Sequence, residues 1–577
     1  MSTSNSEPRP SLDFRTLIEA LDTAPLNRPF VTMWRGDDDA RTVSFGEFKR
    51  RAEALAVYFQ SNGLGAGERV VLIMPQGIEL MAAFAGAMIL GAVPAILAYP
   101  NFKVEPAKYR AGLAGVTANL KAQMVVLDNE FPPELTDYVA ATDGSLVLRI
   151  SDHEPSAEIA LPAKPLEADG LAFIQHSAGT TGLQKGVALS NRAVLTQLDH
   201  LASALEITER DRIYSWLPLY HDMGLIACFM LPMVCHLPVV MQSPTDWVMQ
   251  PATMPQLISE YKCTLAWAPN FTLQFLARRV HPDDRSEYDL SSLRALISCS
   301  EPVRAGSMDE FRDAYAGSGL QPFVLQSSYA MAENVFAVTQ SPVSSEPRRL
   351  TVDGRRLRSE HLAVPVDEAA GEAVQVVSSG PCLPGNHVRI ASPDGKGLPD
   401  GTVGEILIRS DSLFDGYYNR PDLTEDALRE GWYWSGDLGF YLDRELYVIG
   451  RKKDLMIVAG KNIYPQDVEE IAHRHPAIHD GRAVSFGLYN PDLGTEDIIV
   501  VAEVEREEEL KDCLAIERAV RNSVVAELGV AVRAVYLKPP RWIVKSTAGK
   551  PARATTLDKL LSEHAELSKS QPLWEMK

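Results

Sequence analysis

The run Ser177-Ala178-Gly179-Thr180-Thr181-Gly182-Leu183-Gln184-Lys185-Gly186 follows a short apolar stretch, Leu171–His176. Hydroxyl donors and exposed backbone N–H groups, with glycines that allow close approach and unusual φ/ψ, are chemistry for a polyphosphate. Lys185 adds a point charge. The pattern is not the Walker loop, which needs Gly-Lys followed by Ser or Thr, because Lys185 stands between Gln184 and Gly186. Other residues have chemical capacity but weaker signals on their own. Glu333, in Ser328–Asn334, is a hard oxygen ligand suited to Mg²⁺ on phosphates. Tyr329 in the same segment offers a ring that can stack on a purine. Asp437, in Tyr433–Gly439, presents two oxygens to a pair of hydroxyls, although Gly-Asp alone is an ordinary turn. A lone His221-Asp222 pair is more often structural than catalytic. Lys550, after Gly549 in the small-residue segment Lys545–Arg553, reads alone as part of a solvated tail.

These residues need a scaffold, and its elements are legible. Phe45, Phe48, Ala52, Leu55 and Phe59 recur at three-to-four spacing and predict an amphipathic helix over 44–62. Gly63 and Gly67 then turn the chain into an apolar strand, Arg69–Met74. Strands are expected at Met124–Leu127, Leu171–His176, Arg212–Trp216, Leu265–Trp267 and Ala295–Ser298, with helices at Arg192–Leu205 and Pro255–Tyr261. Short apolar strands alternating with helices predict an α/β fold with substantial parallel sheet. From about Val374 short β-type runs dominate (Ala373–Val377, His387–Ile390, Glu405–Arg409, Leu446–Ile449), which predicts a β-rich subdomain. After Gly450 a last α+β unit is expected, with helices Pro465–Arg474 and Cys513–Leu528 and an apolar run Asp497–Val504. The polar segment Ser341–Ser379 carries Arg348, Arg349, Arg355, Arg356 and Arg358 with weak periodicity. It reads as an inserted excursion with solvated arginines.

In order along the chain, the motifs resemble those of the adenylate-forming (AMP-binding) superfamily, and among its members the fatty acyl-AMP ligases. The phosphate loop comes first and Tyr214–Leu225, with its Trp-Leu-Pro-Leu-Tyr-His-Asp-Met-Gly-Leu wording, second. Ser300-Glu301-Pro302, Ser328–Asn334, Tyr433–Gly439, Gly450–Asp454, Ala459–Glu469 and Lys545–Arg553 follow, so the likeness runs from about Val43 to Arg553. It implies a large multi-subdomain N-terminal adenylate-forming domain over 13–452, with an insertion at about 341–379; the polar, Pro- and Ser-rich residues 1–12 before it predict a disordered tail. The resemblance further implies a small mobile C-terminal domain over 453–577, hinged at Lys453. It implies ATP and Mg²⁺ as cofactors. ATP or AMP would be held by Ser177, Gly179, Thr180, Thr181, Gly182 and Lys185 of the loop, by Ser300, Glu301 and Pro302 at the adenine, and by Tyr329, Ala330, Met331, Asp437 and Arg451. Lys550, His221 and Glu333 would be catalytic, Glu333 also holding the metal. Met223, Ile226, Pro269, Asn270 and Phe271 would flank the acyl pocket. The family usually carries Gly where this chain has Ala330, and Thr181–Lys185 is worded like the wider superfamily.

The implied reaction joins a medium- or long-chain fatty acid to AMP with release of pyrophosphate. The acyl group then passes to the phosphopantetheine thiol of a separate acyl carrier protein; Lys538, Arg541, Lys545 and Arg553 are candidates to dock it. The alternatives are a fatty acyl-CoA synthetase using free coenzyme A, an amino-acid-activating enzyme, and a non-catalytic nucleotide-binding relative. Such a relative would be expected to lack Lys550, Glu333 or Asp437, and all three are present. With 56 basic and 76 acidic residues the formal net charge is −20, a poor match to nucleic acid or anionic membrane surfaces. The uncharged stretch Leu80–Ala98 approaches the length of a spanning helix. Gly86, Gly91 and Pro94 instead predict a buried helix over Glu79–Leu90 followed by a strand Val93–Leu97, so no integral membrane segment is expected. Six cysteines with no CxxC pair, and an N-terminus without an apolar signal core, predict free thiols and a cytoplasmic protein.

Overall fold

The computed structural model describes residues 10, 12–36, 39–100, 106–139, 146–150, 167–176, 185–371, 373–458, 461–490, 495–545, 550–564 and 567 of the 577. The phosphate-loop residues Ser177, Gly179, Thr180, Thr181 and Gly182 lie outside them, as does Gly460; of the expected tail only Pro10 and Leu12 lie within.

The helix expected from the phenylalanine spacing runs over Phe45–Ser61, and Ser44 caps it by accepting a hydrogen bond from the Glu47 amide at 3.2 Å. Its five patterned residues are all buried. The uncharged stretch is a buried helix, Ile78–Ile89, and a strand, Val93–Ile96, joined through Gly91 at φ +77°. Among the described residues no helix is long and apolar enough to cross a membrane.

The largest sheet has eight strands in the order Ala337–Gln340, Leu325–Ala330, Ala295–Ser298, Leu265–Ala268, Ile213–Ser215, Val239–Met241, Pro29–Trp34, Ala40–Ser44. It is parallel except at its two edges. A second, four-stranded sheet is wholly parallel: Val93–Ile96, Arg69–Ile73, Met124–Asp128 and Leu146–Ile150. Parallel strands buried on both faces explain the unbroken apolar runs of the sequence. The strand Leu171–His176 departs from this scheme. It pairs antiparallel with Gly186–Ser190, so the phosphate loop joins two strands of a small separate sheet whose third strand is Gly416–Tyr417.

Asn386–Ala391, Gly404–Ser410 and Trp432–Leu442 form the antiparallel β-rich part, on which Glu445–Arg451 also pairs. The inserted excursion is more ordered than its polarity implies. Arg349–Asp353 pairs antiparallel with Ala373–Val377 across a short helix, Gly354–Ser359. Its arginines are not all solvated: Arg358 is buried, and Arg349 donates to both oxygens of Asp309 at 2.8 and 2.6 Å. From Met456 onward the chain builds two cores of its own. They surround the sheet Ile478–Asn490, Thr495–Val504, Val532–Lys538, flanked by helices Pro465–His473, Cys513–Leu528 and Arg553–Glu563.

Candidate active site

Where the strand Ile213–Ser215 leaves the large sheet, the chain turns through Pro218, whose carbonyl accepts from the His221 amide at 3.2 Å. Asp222 accepts from the Met223 amide at 2.8 Å and opens a π-helical turn, Met223–Met230, a form that recurs at functional sites. Gly224 is required here by proximity: a Cβ on it would lie 2.3 Å from the Pro218 carbonyl oxygen. Gly224→Ala therefore costs about 1–3 kcal/mol of stability and displaces the His221-Asp222 turn. A thermal melt checks this, and an unchanged Tm would show that the turn relaxes freely.

Lys550 reaches this turn from the other end of the sequence. Its Nζ donates to the carbonyl of Ser300, a residue held at φ +68° in the left-handed region that non-glycine residues rarely adopt. Burial pushes the Lys550 amine below its ordinary range, with Glu301 and Asp222 acting in the opposite sense and Arg451 adding to it. Burial, reinforced by Lys550, lowers His221 to about 4, so its imidazole is neutral near pH 7. Burial raises Asp222 to about 6. Glu301 also accepts from the Phe271 amide at 2.8 Å, which ties this turn to the helix Phe271–Arg279.

Asp437 is buried in the strand Trp432–Leu442. Its Oδ2 accepts from the Tyr329 hydroxyl at 2.7 Å, and Arg451 Nε lies 3.2 Å from Oδ1. Burial pushes its carboxyl above the ordinary range, opposed by Arg451 and Tyr329. The turn before it is fixed by a residue the sequence reading missed. Glu405 accepts from the Gly436 amide at 3.2 Å and from Lys452 Nζ at 2.9 Å. Tyr417 was also missed: its hydroxyl donates to Glu333 Oε1 at 2.7 Å, and Lys185 Nζ stands 4.4 Å from its ring centroid. Neither residue lies in a recurrent pattern, so nothing local marked them. Among the described residues no group of three or more His, Cys, Asp or Glu could hold a metal by itself. The lone carboxylate of Glu333 fits Mg²⁺, which binds through one or two carboxylates plus substrate phosphates.

A cleft of about 2640 Å³ is lined by Ser300, Glu301, Pro302, Tyr329, Ala330, Asp437, Arg451 and Lys550, and extends to Asn270 and Phe271. Ala330 ends the strand Leu325–Ala330 beside a register shift, and Met331 accompanies it with its amide donating to the Phe336 carbonyl at 2.8 Å. The expected acyl residues divide. Asn270 and Phe271 line the cleft, whereas Pro269, Met223 and Ile226 are not among its lining. Ile226 is wholly buried in the core, and Met223 packs its sulfur 3.0 Å from Cys299 Sγ. The apolar wall comes instead from Trp216 and Trp247, stacked at 3.8 Å, with Phe271 about 6 Å from each and Met249 exposed beyond them.

Lys453 sits in a single helical turn, Lys452–Asp454, between the β-rich sheet and the terminal unit. Beyond it Asn462 packs on the inserted segment, its Nδ2 2.9 Å from His361 Nε2. Lys461 donates to the Gly529 carbonyl within the terminal unit and is not among the cleft lining. Of the basic candidates for docking a carrier, Lys538 and Arg553 pair with carboxylates of the terminal unit. Arg553 donates to Glu469 at 2.7 and 2.6 Å, and Lys538 to Glu563 at 2.7 Å.

The AMP-binding enzyme family model matches residues 18–418, and the chain belongs to that family. A medium-chain-fatty-acid–[acyl-carrier-protein] ligase of Moorena producens is 30% identical over 95% of each chain. A long-chain-fatty-acid–AMP ligase of Mycobacterium marinum is 28% identical over 91% of this chain and 92% of that one. Among solved structures, one from a study of fatty acyl-adenylate ligases of E. coli and L. pneumophila superposes with a TM-score of 0.89. It is 30% identical and covers 97% of this chain and 100% of its own. Within the family, the chain is an acyl-adenylate-forming ligase of the fatty acyl-AMP ligase type.

Proposed function

We propose that the protein activates a medium- or long-chain fatty acid with ATP and delivers it to the phosphopantetheine thiol of a separate acyl carrier protein. The observation that carries this reading is the seat of Lys550, on the Ser300 carbonyl and close to Asp222 and Arg451, at a cleft with an indole-lined end. A carboxylate oxygen of the acid attacks the α-phosphorus of ATP, the bond to the bridging oxygen breaks, and pyrophosphate leaves. Lys550 neutralises charge on the α-phosphate and the incoming carboxylate; Asp437 accepts from the ribose hydroxyls beside Arg451. Neutral His221, close to Lys550, would stand beside the incoming carboxylate, and Trp216, Trp247 and Phe271 would exclude water from the chain. Catalysis is thus largely placement and charge compensation. Glu333, fixed by Tyr417, would hold Mg²⁺, which supplies charge neutralisation on the phosphates. The loop Ser177–Gly182 would cradle those phosphates.

We take the domain boundary at Lys453, giving an N-terminal domain over 13–452 and a terminal domain over 453–577. Turning about Lys453 would withdraw Lys550 and admit the thiol, whose sulfur replaces AMP on the acyl carbonyl. Asn462 of the terminal unit meets His361 of the inserted segment, and a segment lying against that unit supports a carrier-bound acceptor over free coenzyme A. All six cysteines are free thiols, which suits a cytoplasmic setting.

Incubation with ATP, Mg²⁺ and a fatty-acid series, with and without coenzyme A, followed by mass spectrometry, tests the reading. Acyl-AMP that persists in the presence of coenzyme A is the expected result. Ready formation of acyl-CoA would make the protein an acyl-CoA synthetase, and nucleotide binding without pyrophosphate release would make it a binder.

A further inference from the structure

The helix Phe271–Arg279 begins at the acyl wall and ends on the terminal unit. At its last turn Arg278 is held by both oxygens of Glu310, at 2.6 and 2.9 Å, through Nε and Nη2, and its third nitrogen, Nη1, donates to Asp480 Oδ2 at 2.6 Å. Glu310 lies on the neighbouring helix Ala305–Ala314, whereas Asp480 belongs to the strand Ile478–Asn490 of the terminal unit. Arg279 stands 3.6 Å from Glu505, also of the terminal unit. A third arginine repeats the arrangement. Arg304 is anchored through its amide on Asn270 Oδ1 at 3.0 Å, pairs with Glu470, and donates to the Gln466 carbonyl at 3.2 Å. Three arginines on one side therefore face three carboxylates on the other, and Lys550 is carried by the carboxylate side.

We propose that Arg278, Arg279 and Arg304 are positioning residues for the adenylation step: they seat the terminal unit through Asp480, Glu505 and Glu470 and thereby hold Lys550 on the Ser300 carbonyl. None of the six needs to touch substrate. Glu310 fixes the Arg278 guanidinium before the terminal unit arrives, so little side-chain freedom is lost on docking. The pairs lie at the rim, where each shifts an equilibrium only a few-fold and salt screens it. A clasp of this strength holds the unit for the first step and still lets it go for the second. The proposal rests on the two-step reaction above.

The test separates the two half-reactions in the intact enzyme. The variant Asp480→Lys with Glu505→Lys places like charges on Arg278 and Arg279 at the outer lining of the cleft, while Lys550, Tyr329, Asp437 and Arg451 keep their own side chains. Its rate of acyl-AMP formation is expected to fall about 10-fold in kcat, with KM for ATP and fatty acid unchanged. Transfer from supplied acyl-AMP to a phosphopantetheine thiol is expected to hold or rise. Pairing Glu505→Lys with Arg279→Glu restores part of the loss, and 1 M salt lowers wild-type adenylation toward the variant. Equal loss in both half-reactions, or loss in neither, overturns the clasp. Hydrogen exchange at Ile478–Asn490 and Phe271–Arg279 reads the seating without any chemistry. Faster exchange at both segments in the variant supports the clasp even if no acyl-AMP forms, a result that would instead overturn the proposed reaction; unchanged exchange overturns the clasp.

Discussion

Lys550→Ala lowers acyl-adenylate formation by about 10²–10³-fold, the usual effect of removing one preorganised donor from a developing oxyanion. Wild-type Lys550 meets the Ser300 carbonyl and is surrounded by Asp222, Glu301 and Arg451. Its ammonium is thus placed before substrate binds and needs no reorganisation during reaction. ATP affinity changes little, because the loss falls on the transition state rather than on nucleotide binding. Pyrophosphate-exchange kinetics with a nucleotide titration measure both quantities, and an active Lys550→Ala enzyme would remove the residue from the mechanism. The pH dependence has a definite sign. Burial lowers the lysine pKa, the protonated form is the active one, and adenylation therefore falls as pH rises through a value below the ordinary 10.5. His221, at about 4, stays neutral across that range and contributes no limb near neutrality.

Asp437→Ala raises KM for ATP about 100-fold. A carboxylate that accepts two ribose hydroxyls supplies charge-assisted bonds of about 1.5–3 kcal/mol each. The truncation also strands the Tyr329 hydroxyl and the Arg451 guanidinium, both of which lean on that carboxylate now. Isothermal titration with ATP or AMP reads the change directly. A rise below 10-fold would move the ribose contact elsewhere in the cleft. Glu405→Ala is expected to produce a weaker version of the same defect, since Glu405 holds the Gly436 amide and Lys452 on either side of Asp437.

The sequence by itself determined whatever depends on neighbours along the chain. Apolar residues at three-to-four spacing specify the helix Phe45–Ser61, short apolar runs specify strands, and a glycine such as Gly91 marks where a helix gives way to a strand. Motif order likewise singled out Tyr329, Asp437, Arg451 and Lys550 as candidates before any of them had a position, and all four line one cleft. What tertiary structure alone decided is which of these groups meet. Lys550 and Ser300 stand 250 residues apart, and Tyr329 and Asp437 108, separations at which no periodic signal survives. The same reason hid Glu405 and Tyr417, whose work is done on residues in other segments. Ile226 flanks the functional turn in sequence, yet it is wholly buried and is not among the residues that line the cleft, a difference that spacing along the chain does not report. The inserted segment makes the same point from the opposite side. Its arginines read as solvent-facing because they are charged, yet Arg349 and Arg358 are buried or paired, since long-range carboxylates such as Asp309 were not visible from the local sequence. Local patterns report the elements; burial and charge pairing are properties of the assembled fold.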